Sequence, residues 1–193
     1  MKVVGQLNAF AEQLRAATRS AHRALDHHPL LAPLTRSPLT AGDYINALAA
    51  LHGTQQAIEC WLDDFAPQAD FPPRLADLQS DLAALGASPF PLMAELPKFD
   101  SDAQRIGAMY VIEGSNLGGI VIARLLDESL PADVPRRFFA NSGGKRRWEK
   151  FWQFAAAHCR DENLTIVADA ACETFNLYKD HLDRCMGCAA HQK

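Results

Sequence analysis

The sequence predicts an all-α protein folded as a single domain, and three observations carry that prediction. Apolar residues recur at helical spacing along almost the whole chain, while the alternation of a half-buried strand is nearly absent. Residues that start and stop helices punctuate those segments. The 193 residues, 48% of them hydrophobic, can bury one sizeable core, and no repeat, low-complexity tract or linker divides them. One domain over residues 1–193 is expected, with a flexible tail from about 187 to 193.

Leu7 to His27 reads as one amphipathic helix, stopped by Pro29. Thr40-Ala-Gly-Asp43 is an N-cap with an acid in the first turn, opening a helix from about Tyr44 to Phe65. Pro67, Pro72 and Pro73 end it. Leu75 to Leu85 makes a shorter helix before Gly86, and the prolines at 89, 91 and 97 mark 88–99 as loop. Ser101-Asp-Ala-Gln104 has the capping-box pattern, in which residues one and four satisfy each other's backbone N–H groups. It opens a long glycine-bearing helix. Pro131 to Gly144 reads as irregular, followed by helices at Lys145–Cys159 and Leu164–Met186.

Composition excludes several function classes. A formal net charge of −4 gives no general attraction to nucleic acid or anionic lipid. No run approaches the roughly 18 apolar residues of a membrane span, and Met1-Lys-Val-Val-Gly-Gln6 lacks an apolar signal core. A soluble cytoplasmic protein, most simply a monomer, is expected. Five cysteines, an odd number in a chain this long, argue against a disulfide scaffold.

Two segments carry chemistry. In Arg105–Arg124 the apolar residues are dense enough for a buried helix, yet Gly107, Gly114, Gly118 and Gly119 interrupt them. Each costs roughly 1 kcal/mol relative to alanine in a helix interior. Gly107, Gly114 and Gly118 share one helical face, so they form a bare stripe that allows a kink and lets another helix or a flat group approach closely. In the first helix, Arg15, Arg19, His22 and Asp26 share one face while Leu14, Ala17, Ala21 and Leu25 form the apolar side. Imidazole is the commonest biological metal ligand, and an arginine two turns before it suits an anionic group on the same ligand.

Leu14-Arg-Ala-Ala-Thr18 followed by His22 resembles the proximal-helix signature of the heme oxygenases. Gly107-Ala-Met-Tyr-Val-Ile-Glu-Gly-Ser-Asn-Leu-Gly-Gly119 resembles the distal helix of their bacterial branch. Phe138-Phe139 with Ser142-Gly-Gly144 and Trp148 is similar to the segment that follows there, and Glu173-Thr-Phe175 to the last helix. The resemblance runs from about residue 7 to residue 183. It implies a helical bundle holding heme between a proximal helix and a kinked, glycine-rich distal helix. His22 is then the axial ligand of the heme iron, and Gly114 and Gly118 are the backbone contacts over the ring. Ser115 and Asn116 form the distal hydrogen-bonding surface. Arg15 and Tyr110 pair with the propionates, and Tyr178 is a late-helix contact.

The implied reaction is oxidative cleavage of heme, both cofactor and substrate, to a biliverdin, carbon monoxide and ferrous iron. It uses O2 and electrons from a ferredoxin or a flavoprotein reductase. Mammalian-type members carry an aspartate where this chain has Ser115, as the bacterial branch does, so proton delivery falls to ordered water and Glu113 reads as structural.

Other features read more plainly. His27 and His28 end the first helix, where cations suit the helix dipole; His52 belongs to the surface or core, and Trp148 and Trp152 to the core. Lys145-Arg-Arg147 is a short basic patch, either a solvated helix start or a place for an electron donor. His181, Cys185, Cys188 and His191 have spacing that fits zinc, at a terminus. Two rival functions remain. One is a heme-binding or storage protein on the same fold, without turnover. The other is a non-heme di-iron oxidase, against which stands the lack of any Glu-x-x-His.

Overall fold

The computed structural model describes residues 2–67, 69–92 and 94–189, among which no strand occurs. The helices are α1 (Lys2–Asp26), α2 (Ala41–Leu62), α3 (Leu75–Ala84), α4 (Asp102–Ser129), α5 (Arg137–Ala140), α6 (Gly144–His158) and α7 (Leu164–Ala189). Short 3-10 turns sit at Ala32–Thr35 and Asp161–Asn163. The Cys188 side chain and His191 lie outside the described residues, as does the end of the expected tail.

Both predicted starts form. Asp43 N–H donates to Thr40 Oγ1 at 3.1 Å while the Asp43 carboxylate accepts from the Thr40 backbone. The Ser101 and Gln104 pair does the same at the start of α4. One helix was invisible to local reading. The one-turn α5 lies within the stretch expected to be irregular, and its N–H groups are held from far along the chain. Asp81 of α3 accepts from the Arg137 and Phe138 backbone at 3.0 and 2.8 Å.

α4 is the central helix, packed against α6 and α7 with α2 and α5 at its flanks, and α1 lies along α7. By length and composition α4 is apolar enough to cross a bilayer, more so than the broken pattern of its glycines suggested. Its apolarity serves burial, with Ile106, Ala108 and Met109 fully enclosed. On α1 the inward seam is Phe10, Ala11, Leu14 and Thr18, with Ala21 and Leu25 partly covered. Ala17 is exposed instead, and Thr18 is accommodated because its hydroxyl donates to the Leu14 carbonyl at 2.8 Å.

The glycine stripe divides. A β-carbon on Gly107 would lie 2.5 Å from the Val167 carbonyl oxygen and 2.8 Å from Ala171 N, so this glycine lets α4 and α7 cross closely. Gly107→Ala should therefore destabilise the fold. Overpacking costs about 1–3 kcal/mol or more, exceeding the roughly 1 kcal/mol that alanine gains in helix propensity. A lowered urea midpoint at unchanged slope is the expected result, and an unchanged midpoint would mean that the two helices can part.

The tail pattern is drawn into the core at its start. His181 is fully buried, its Nε2 2.9 Å from the Ala50 carbonyl oxygen, with Cys185 Sγ beside the ring. That nitrogen joins α7 to α2. His28 is buried as well: its Nδ1 accepts the Leu30 N–H at 3.2 Å, its Nε2 lies 3.3 Å from Asp183, and burial lowers its pKa.

Candidate functional site

α1 presents His22 at the surface, its side chain 58% exposed. Asp26, one turn on, lies 2.9 Å from Nδ1, and the ring meets Phe175 of α7 edge-on at 5.6 Å. A carboxylate accepting from Nδ1–H selects the tautomer whose Nε2 lone pair is free, and it makes the imidazole a better metal ligand. The sequence put Asp26 on this face without assigning it a role. Two helices thus serve one ring: the spacing of α1 places the acid, and Phe175 of α7 packs against its edge.

On α4 the open face is built from what is missing. A β-carbon at Gly118 would have nothing within 4 Å, and one at Gly114 would rest 3.7 Å from the edge of Trp148. Val121 continues this face and is about half exposed. Ser115 is exposed beside it; its hydroxyl donates to the Ile112 carbonyl at 2.7 Å, leaving the oxygen able to accept.

Aromatic rings join the two helices. Tyr110 of α4 lies 5.5 Å from Trp148 and 6.1 Å from Trp152, and its hydroxyl is 3.4 Å from Thr18 Oγ1 of α1. The Arg15 guanidinium stands 6.0 Å from the Trp152 ring, so Arg15 and Tyr110 flank the same indole. Arg15 is exposed and Tyr110 buried.

Asn116 and Tyr178 face elsewhere. Asn116 is fully buried on the inward side of α4, where its oxygen accepts from Arg74 Nη1 and its amide donates to Glu113 Oε2 at 3.0 Å. It links two buried charges rather than joining Ser115 on the open face. Tyr178 is buried toward α2, hydrogen-bonded to Thr54, and burial raises its pKa. Phe175, one turn earlier, is the α7 residue that meets His22.

The charges behind α4 form a network that sequence reading found only in part. Arg147 Nε and Nη2 donate to the two Glu113 carboxylate oxygens at 2.5 and 2.7 Å, and its Nη1 donates to the Pro72 carbonyl at 2.7 Å. Arg147 therefore leaves the basic patch, where Lys145 and Arg146 stay exposed. Arg74 donates to Asn116 and to the Phe138 carbonyl, and its guanidinium lies 4.2 Å from the Phe138 ring centroid. Burial and the like charge of Arg147 lower its pKa to about 10. Glu59 accepts from the Arg74 and Leu75 backbone N–H groups at 2.7 and 3.1 Å, serving the start of α3. Glu113 was legible as structural from its apolar neighbours. Arg74, a lone arginine after two prolines, carried no signal.

An imidazole held by a carboxylate on one helix and bare backbone on another, both helices packed on α7, mark the candidate site of this all-helical protein. The chain belongs to the heme oxygenase family, whose model matches residues 8–184. It is 33% identical over 108 residues to a heme oxygenase of Xanthomonas campestris pv. campestris (strain 8004), an overlap of 53% of this chain and 64% of that relative. Its fold is similar to that of the Neisseria meningitidis heme oxygenase solved with NO and CO bound. That match has a TM-score of 0.68 and 24% identity and covers 92% of each chain.

Proposed function

We propose that this protein is a heme oxygenase, cleaving heme oxidatively to a biliverdin, carbon monoxide and ferrous iron. It would use O2 and electrons from a ferredoxin or a flavoprotein reductase. The observation that carries the reading is His22, an exposed imidazole whose Nδ1 is held by Asp26. Bound heme supplies an iron that takes up dioxygen and electrons and a porphyrin ring that is itself the substrate.

The residues present fit such a group. His22 would hold the iron through Nε2, the ring nitrogen that does not face Asp26, and the open face of α4 would lie over the ring. Gly114 and Gly118 keep that face free of side chains, and Ser115 adds a hydroxyl oxygen at its edge. Arg15 and Tyr110, beside Trp152, suit the carboxylates of the ring's propionates through charge-assisted hydrogen bonds. Asn116 acts from behind, by tying α4 to Arg74, and Tyr178 lies farther from this face.

The deciding experiment adds hemin to the purified protein, then an electron donor in air, and follows the absorption spectrum with catalase present. Loss of the Soret band with growth of a bilin band supports the reading. A stable Soret band with donors of both classes would mean a heme-binding protein without turnover. Arg15→Ala is expected to weaken hemin binding by about 1.5 kcal/mol, the lower end for a hydrogen bond to a charged group because the site is exposed. That is roughly tenfold in Kd, and unchanged affinity in a titration would move the propionate contact elsewhere.

A further inference from the structure

The open face of α4 has a back, and the back is seated on one turn. Successive residues on a helix are about 100° apart. Gly119 and Ile120 therefore point away from Gly118 and toward the Ser142-Gly143-Gly144 turn that joins α5 to α6. A β-carbon on Gly119 would lie 3.0 Å from Ser142 Cβ and 3.3 Å from its Oγ. One on Gly144 would lie 2.5 Å from Ile120 Cδ1. Close contact thus depends on two absent side chains, one on each surface.

The turn itself is braced on both sides. Gly143 and Gly144 have φ of 70° and 49°, which favours glycine at both positions. On the α5 side, Asp81 holds the Arg137 and Phe138 N–H groups and Arg74 holds the Phe138 carbonyl. On the α6 side, Arg147 is clamped to Glu113 of α4. Ser142 is 3% exposed, so it has nowhere to retreat. Such a seat stops α4 on that side, so added bulk between the two surfaces must move either the turn or the helix.

We propose that the Ser142–Gly144 turn sets how far the bare backbone at Gly114 and Gly118 stands from the heme, with Gly119 and Ser142 as positioning residues. This rests on the heme oxygenase reading. Less room between α4 and a bound ring would press harder on a small ligand held there, which would move that ligand's vibration and the balance of ring-opening products. Neither residue touches the ring; they act through the height of α4.

Gly119→Ala tests this. The added methyl group must displace the turn or α4 by a few tenths of an ångström. The expected result is a shifted C–O stretching band in the ferrous carbonyl complex and a changed ratio of biliverdin isomers, with hemin affinity unchanged. Adding Ser142→Gly, which deletes the atoms that the methyl group meets, should return both toward the parent. A folded Gly119→Ala with the parent's band and isomer ratio overturns the proposal. If that variant does not fold, Ser142→Gly alone, which opens space behind α4, should shift the band the opposite way, and an unmoved band overturns the proposal equally. Hemin binding and turnover by the parent are read first. A parent that takes up no hemin overturns the reading of function and the seat with it. One that binds but does not turn over removes only the activity, and the carbonyl band still decides the seat.

Discussion

His22→Ala is expected to remove the axial ligand while leaving the protein folded, and so to abolish turnover without a loss of stability. Its imidazole is more than half exposed and makes one hydrogen bond, to a similarly exposed Asp26, and one edge contact with Phe175. Surface substitutions of this kind usually change stability by no more than about 0.5 kcal/mol. The hemin complex should lose the absorption spectrum of an imidazole-ligated heme, and added free imidazole should restore it. Asp26→Ala should change the same spectrum less, since Asp26 orients the ligand without supplying it. A hemin complex of His22→Ala with the parent's spectrum would take His22 out of the site.

The second large effect falls on stability. Glu113→Ala strands Arg147, which is 8% exposed and held by the two carboxylate oxygens in a bidentate pair. Asn116 loses its acceptor at the same time. Removing one partner of a buried ion pair costs about 3–5 kcal/mol, because the remaining charge stays out of water. That is a large share of the roughly 5–15 kcal/mol that holds a domain folded. Urea unfolding at neutral pH should show a much lower midpoint, with Glu113→Gln in between because it keeps an acceptor for Arg147. A loss under about 1 kcal/mol, the range of exposed pairs, would mean that water reaches the pair.

The two predictions fall on different helices, one exposed and one buried, and sequence reading served them unequally. His22 and its charged companions were legible because a helix turns periodicity into a face, and a face can be read without knowing what lies against it. Glu113 was legible in kind only. Its apolar neighbours mark it as inward, but nothing local reveals that its partner stands on α6 or that Asn116 lies between it and Arg74. The glycines show the same limit more sharply. Gly107, Gly114 and Gly118 share a face, and the spacing alone treats them as one stripe. In the fold Gly107 receives the backbone of α7, Gly114 lies at the edge of Trp148 on the open face, and Gly118 has nothing near it. Gly119, off the stripe, turns out to be a close contact of Ser142.

By itself the sequence determined the long helices, their capped starts and the family, and it singled out His22 with its charged companions on one helical face. Each of these depends on neighbours within a few positions or on a contiguous motif. The tertiary structure decided which glycines are bare and which are packed, which arginines leave the surface for the network behind α4, and that Phe175 of α7 meets His22 while Tyr178 is buried toward α2. The physical reason is that burial and close approach are properties of pairs of surfaces. A residue's own helix sets the direction in which it points, but the surface it meets comes from a segment tens of residues away.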